Sequence, residues 1–294
     1  SLELMDQPGI HVLLDGEDCP SFVPKIAQFT GRIAGRHPWL KDYGLSISTH
    51  NSFPHSSGIA SSASGMSALA LCIVDLAQQQ GITFENPQRE ASILARLGSG
   101  SACRSVYGPL AQWGETESVP GSSQEWAIAY PHPVKEVFAS YRDVVALVDV
   151  GQKAVSSTVG HQMMESHPFR EQRFAQAHRH MSRFKDILGS GDLESFIELV
   201  ELEALTLHGL MMSSSPSYIL MQANSLKIIE AIRRFRLETS IPLCFTLDAG
   251  ANVHLLFPDE YSNAVMQFVE NQVKTYCKDG RFIADRVGRG PLPL

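Results

Sequence analysis

No apolar run in this chain reaches membrane-spanning length, so hydropathy gives no transmembrane helix. Basic residues are not in excess. The 24 Lys and Arg against 31 Asp and Glu leave a formal net charge of −7, which excludes a general nucleic-acid or membrane-surface electrostatic footprint. Cysteine is scarce and unpatterned. Cys19, Cys72, Cys103, Cys244 and Cys277 make no Cys-x-x-Cys pair, and Cys72 and Cys244 stand in apolar runs; this reads as reduced thiols in a cytoplasmic protein. There is no His-Glu-x-x-His, and His178 and His180 lie two apart on a helical stretch, facing different sides, so no zinc site is read. No Gly-Lys-Ser/Thr follows a glycine-rich turn, which excludes a Walker A loop. Internal repeats and low-complexity segments are likewise missing.

What is present is ordinary globular composition: 294 residues, 44% hydrophobic and 19% charged, enough for one large or two medium domains. Apolar spacing predicts helices over 22–34, 61–80, 90–97, 169–188, 192–211, 225–236 and 264–276, with Gly81 as a stop signal. Strands are predicted over 44–49, 110–114, 126–130, 144–148, 242–246 and 253–257, the 144–148 strand continuous and buried. Residues 1–14 read as two extended pieces broken by Asp6-Gln7-Pro8-Gly9, with a turn at Asp15-Gly16. That opening resembles the middle of a sheet, and part of the N-terminus, its first strands, is expected to precede Ser1. The tail reads as Gly/Pro-rich. Strands and helices without strict alternation predict an α+β fold, divided into domains at 1–138 and 139–294.

Four stretches carry possible chemistry. In 51-NSFPHSSGIASSASGMSALAL-71, a strand runs through a Gly/Ser-rich turn into a helix N-terminus. Free backbone N–H groups, the helix dipole and the close approach that glycine permits make such a place suited to an anion. The same pattern also makes a tight turn with serine caps. The second stretch, 98-GSGSACRS-105, sets two glycines, three serines and Arg104 together, a grouping that grips a carboxylate or phosphate or simply ends a helix beside a surface Arg. The third, 153-KAVSSTVG-160, places Lys153, Ser156, Ser157 and Thr158 after the buried strand, as ligand groups or caps. The fourth is Asp248, between apolar 243–247 and Ala249-Gly250-Ala251-Asn252. There it is either a desolvated base or an Asx-turn aspartate.

Taken in order, these stretches resemble the diphosphomevalonate decarboxylases of the GHMP kinase superfamily. The 54–64 segment is similar to that superfamily's phosphate loop, 98-GSGSACRS-105 to the decarboxylase signature, and Lys153–Gly160 and Asp248–Asn252 to its Ser-Ser-Thr and Asp-Ala-Gly-Pro-Asn segments. The resemblance covers nearly the whole chain. Departures are the lack of an opening Lys-Tyr-Trp-Gly-Lys-like motif, Ser52 before Phe53-Pro54, Ala251 for proline, His161 for methionine, and Ser166-His167-Pro168. They bear on substrate selectivity more than on reaction class.

The resemblance implies a two-domain GHMP-kinase-like fold. Its N-terminal part is like ribosomal protein S5 domain 2, its C-terminal part ferredoxin-like, and the active site lies in the cleft between them. It implies ATP- and Mg²⁺-dependent decarboxylation of (R)-5-diphosphomevalonate to isopentenyl diphosphate in the cytoplasm, with homodimers a family tendency. Pro54, Ser56, Ser57, Gly58, Ala60, Ser61 and Ser62 are then expected at the ATP phosphates, with Ser61 and Ser62 also near Mg²⁺. Ser99, Gly100, Ser101, Lys153, Ser156, Ser157 and Thr158 are expected at the substrate, with Arg104 on its carboxylate and Asp248 at its C3 hydroxyl. The rival expectations are a phosphomevalonate decarboxylase, a mevalonate 3-kinase that stops after phosphoryl transfer, and a non-catalytic ligand-binding relative.

Overall fold

The computed structural model describes residues 1–51, 61–151 and 164–292. Of these, 1–51, 61–131 and 289–292 form one compact unit, and 132–151 with 164–288 form a second.

The first unit holds a four-stranded mixed sheet in the order β1-β4-β2-β3, from Leu2–Met5 (β1), Ile10–Leu14 (β2), Glu17–Asp18 (β3) and Gly44–Thr49 (β4). β2 and β3 form a hairpin whose two-residue turn, Asp15-Gly16, has both φ angles positive, at 55° and 87°. That mirror-image turn matches the strand twist, and an Asp-Gly pair tolerates it. β2 runs parallel to β4, so the chain must cross over between them, and α1 (Val23–Ile33) lies on that crossover. Its buried Ile26, Phe29 and Ile33 recur at helical spacing and join Val12, Leu45 and Ile47 of the sheet in one core. α2 (Ser61–Gln79) adds Met66, Ala70 and Ile73 to that core. Gly81 stops it at φ 83°. α3 (Pro87–Gly98) begins where the Asn86 side chain accepts the Arg89 N–H at 2.9 Å and Pro87 takes the first turn. A two-stranded ladder of β5 (Ala111–Trp113) and β6 (Ala127–Ala129) completes the unit. In the first turn of α3, the buried Glu90 receives both the Arg36 guanidinium and His37. Burial alone would push the Glu90 carboxyl up, but these partners override it and hold the pKa down to about 2.

The second unit is an antiparallel sheet in the order β10-β7-β9-β8, from Tyr141–Ala146 (β7), Cys244–Thr246 (β8), Val253–Pro258 (β9) and Phe282–Arg286 (β10). Sequence order against spatial order is that of a split β-α-β-β-α-β, or ferredoxin-like, arrangement. Ahead of β7, a single helical turn, α4 (Glu136–Ala139), carries the buried Phe138. Helices α5 (Arg170–Ser190), α6 (Leu193–Ser213), α7 (Ala223–Thr239) and α8 (Ser262–Asn271) follow. Ile228 and Ile232 of α7 and Val265, Phe268 and Val269 of α8 pack on Val144, Phe245, Val253, Leu255 and Phe257 of the sheet. The phenyl rings of Phe235 and Phe268 stack at 4.4 Å.

Three local features differ from the sequence reading. The Gly/Pro-rich tail contains a real strand, β10, because Phe282 and Ile283 pair with Ala146 and Val145 at the sheet edge. The last helix ends at Asn271, and 273–276 continue as a 3₁₀ turn after Gln272 leaves helical geometry. β7 begins at Tyr141, earlier than its apolar run suggests, since Arg142 and Asp143 also pair, facing Phe257 and Leu256.

Candidate functional site

α2 starts at Ser61 with no acidic residue in its first turn. That first turn therefore sets no carboxylate against an anion at its positive end. Ser61 is half-buried and Ser62 exposed. Ser62 Oγ lies 3.3 Å from Ser99 Oγ, which joins the start of α2 to the second motif stretch. The approach of the two elements depends on Gly98. A Cβ built there would sit 2.8 Å from Met66 Sδ, 3.1 Å from its Cγ and 3.2 Å from its Cβ.

Beyond Ser99, Gly100–Val106 forms a 3₁₀ helix with Ala102, Cys103 and Val106 buried as its anchoring face. Two side-chain hydrogen bonds fix it, and a third ties one of the donors, Ser92, to β6. The fully buried Ser92 Oγ donates to Cys103 O at 3.0 Å and accepts the Ala127 N–H at 2.9 Å, and Gln88 Nε2 donates to Val106 O at 2.7 Å. With that face pinned, Gly100, Arg104 and Ser105 are exposed, and Ser101 is half-buried. Among the described residues, the Arg104 guanidinium has no hydrogen-bond or ion-pair partner, so its donors are open to a carboxylate or phosphate. Cys103 is not a nucleophile in waiting: burial pushes its thiol up to about 11. All five cysteines are free.

In the second unit, β8 ends at Thr246 and Leu247 takes the last buried position, so Asp248 is exposed. Of the two readings of Asp248, desolvated base or turn aspartate, the exposed position is that of a turn aspartate: the chain leaves the sheet after Leu247. Asp248 Oδ1 accepts the Ala249 N–H at 2.8 Å, and its carbonyl accepts the Gly250 N–H at 2.7 Å, a three-residue turn of the γ type. Buried polar side chains hold this turn from below. His208 Nε2 lies 3.2 Å from Asp248 O, Ser225 Oγ donates to Ala251 O at 2.6 Å, and Asn252 Oδ1 accepts the Asp149 N–H at 2.9 Å. Asp149 also accepts from Gly151 N and from Gln222 Nε2. The Asp248–Asn252 turn is thereby tied to the chain just before the third motif stretch.

Pro54, Ser56, Ser57, Gly58, Ala60, Lys153, Ser156, Ser157 and Thr158 lie outside the described residues. Of the remaining expected site residues, Ser61, Ser62, Ser99, Gly100, Ser101 and Arg104 gather at the junction of α2, α3 and the 3₁₀ helix of the first unit, while Asp248 belongs to the second. Sequence reasoning missed Ser92, His208 and Ser225, whose partners lie 11, 40 and 26 residues away. The available signal was a polar residue inside an apolar helical face, as Ser92 stands between Ala91 and Ile93.

Residues 6–125 match the diphosphomevalonate decarboxylase-like N-terminal domain, and residues 144–287 match the mevalonate 5-diphosphate decarboxylase C-terminal domain. A diphosphomevalonate decarboxylase of Ganoderma lucidum is 27% identical over 239 residues, 79% of this chain and 58% of the relative. A phosphomevalonate decarboxylase of Haloferax volcanii is 26% identical over 230 residues, 78% of this chain and 66% of the relative. Each alignment spans less than two thirds of the relative's own length. A solved structure of MDDEF in complex with MVAPP, AMPPCP and magnesium superimposes with a TM-score of 0.82 at 25% identity, covering 98% of this chain and 84% of that one. With both of its halves matched in order and this fold, the chain belongs to the diphosphomevalonate decarboxylase family of the GHMP kinase superfamily.

Proposed function

We propose that the protein is a cytoplasmic carboxy-lyase that converts (R)-5-diphosphomevalonate and ATP to isopentenyl diphosphate, ADP, phosphate and CO₂. The observation that carries this reading is the match of both family domains along one chain, in a fold also seen in a complex with MVAPP, AMPPCP and magnesium. The exposed Arg104, unpartnered among the described residues and close in sequence to Ser99 and Ser101, supports it, as does Asp248 in its pinned turn.

The chemistry follows from the substrate. Loss of CO₂ from a 3-hydroxy acid needs a leaving group at C3, and a tertiary hydroxyl is a poor one. Its conversion to a phosphate ester solves this. The α2 N-terminus, free of acidic residues, suits the nucleotide phosphates, with the backbone and hydroxyls of 54–62 around them. Mg²⁺, when bound, neutralises phosphate charge. The Ser61 and Ser62 hydroxyls would serve as protein oxygens beside it, the usual partners of an ion that is bound largely through substrate phosphates. Asp248 orients the C3 hydroxyl and takes its proton as the oxygen gains the phosphoryl group. An exposed carboxylate is sufficient, because that proton becomes acidic late in a loose phosphoryl transfer. Arg104 holds the substrate carboxylate in two-point contact, with Ser99, Gly100 and Ser101 alongside and Lys153, Ser156, Ser157 and Thr158 for the remaining anionic groups. The C3–O bond then breaks, phosphate departs, and the C1–C2 electron pair forms the C2=C3 double bond as CO₂ leaves.

The Haloferax volcanii relative favours a second reading, a substrate with one phosphate. Incubation with ATP, Mg²⁺ and mevalonate bearing no, one or two phosphates separates the two: the expected outcome is CO₂ from the diphosphate. Asp248→Asn is expected to keep nucleotide binding and lose most turnover. Arg104→Met is expected to lose turnover without an effect confined to the ATP KM. Full activity in either variant would remove the role assigned to that residue. The homodimer implied by the family is checked by light scattering of the same sample.

A further inference from the structure

We infer that His208 is a positioning residue for Asp248, acting through the backbone and not through its own proton chemistry. The inference rests on the reading of Asp248 as the residue at the C3 hydroxyl. His208 lies on α6 with 1% exposure, and its Nε2 is 3.2 Å from the Asp248 carbonyl oxygen. A carbonyl oxygen only accepts, so Nε2 carries the hydrogen. Burial lowers the pKa of the imidazole, which keeps it neutral and confines it to this donor role. The Asp248 carboxylate itself projects into solvent, so no core packing holds it. Its place is set by the backbone of residue 248, whose carbonyl takes the Gly250 N–H on one side and His208 on the other. Of these two, only His208 comes from outside the turn and refers the carboxylate to a rigid helix. A buried histidine with a single task of this kind is replaceable by a group that donates from the same reach.

The test compares His208→Leu, which removes the donor, with His208→Gln, whose amide nitrogen reaches about as far as Nε2. Thermal melting checks folding, steady-state kinetics give kcat and the ATP KM, and amide hydrogen exchange reads Ala249 and Gly250. The expected result for His208→Leu is a kcat loss of about tenfold or more, an ATP KM unchanged within about twofold, and faster exchange at both amides. His208→Gln is expected to recover most of both losses. Wild-type kcat in His208→Leu overturns the inference, as does an equal loss in both variants with exchange unchanged. If His208→Leu does not fold, His208→Gln against His208→Asn decides, since the shorter amide falls short of the carbonyl; equal turnover overturns the inference. A wild-type protein that releases no CO₂ refutes the decarboxylase reading instead, and the exchange comparison still tests the His208 tether.

Discussion

Replacing Gly98 with alanine tests whether the close fit of α2 against the end of α3 sets the first half of the site. The new methyl would lie 2.8 Å from Met66 Sδ, 3.1 Å from Cγ and 3.2 Å from Cβ, inside the roughly 3.5–4.0 Å of ordinary contact. The Met66 side chain must shift, and its Cβ, fixed to α2, must give by a few tenths of an ångström; overpacking of this kind costs about 1–3 kcal/mol. Alanine's advantage in a helix, about 1 kcal/mol over glycine, is the opposing effect, and it is weakest at a last helical residue such as this one. A net loss of about 1–2 kcal/mol is expected, a fall of several degrees in Tm. The same shift stretches the 3.3 Å Ser62–Ser99 contact, so turnover is expected to fall by about tenfold or more. Calorimetry and a CO₂-release assay on Gly98→Ala, Met66→Ala and the double variant measure this. Met66→Ala alone opens a cavity costing about 2–5 kcal/mol, but it removes Sδ and Cγ from the clash, so the double variant should lose less than the sum by more than about 1 kcal/mol. A Gly98→Ala protein as stable and active as wild type, or strictly additive losses, would refute the reasoning.

Two further outcomes follow from buried polar groups. The Glu90 carboxyl titrates near about 2 in the folded protein against 4.5 for the free group, so its contribution is present above pH 4.5 and is lost as pH falls toward 2. Its size is about 2–3 kcal/mol, the lower end allowing for the half-exposed Arg36 partner; unfolding free energies of wild type and Glu90→Gln from denaturant titrations should differ by this amount near neutral pH and converge in acid, and a constant gap would contradict it. Ser92→Ala leaves Cys103 O and Ala127 N–H without their buried partner, at a cost of about 1–3 kcal/mol. Because Ser92 anchors the segment bearing Arg104, turnover should fall while nucleotide affinity, measured by fluorescence titration, holds.

Where chemistry is local, the sequence was legible. Apolar spacing in 61–79, the Gly81 stop and the Asp15-Gly16 turn each depend on neighbours in the chain, and each is found. The α5 and α6 helices were also visible, with bounds within two residues. β10 was not, because its stability comes from pairing with β7, over a hundred residues earlier, and five residues ending in Asp285 and Arg286 carry little strand signal of their own. At the site, the α2 entry and Arg104 were read from glycine, serine and one cation clustered in a short stretch. Whether Asp248 lies buried or exposed was left open, because an apolar strand tells how deep its own residues lie, not where the chain turns out of the sheet. His208 and Ser225 escaped for the same reason as β10: their partners are set by tertiary folding.

The most direct measurement is the ratio of CO₂ released to ADP formed with diphosphomevalonate, ATP and Mg²⁺. One CO₂ for each ADP is the predicted result. ADP without CO₂ would make the protein a kinase that stops at the phosphate ester, and neither product would contradict catalysis altogether.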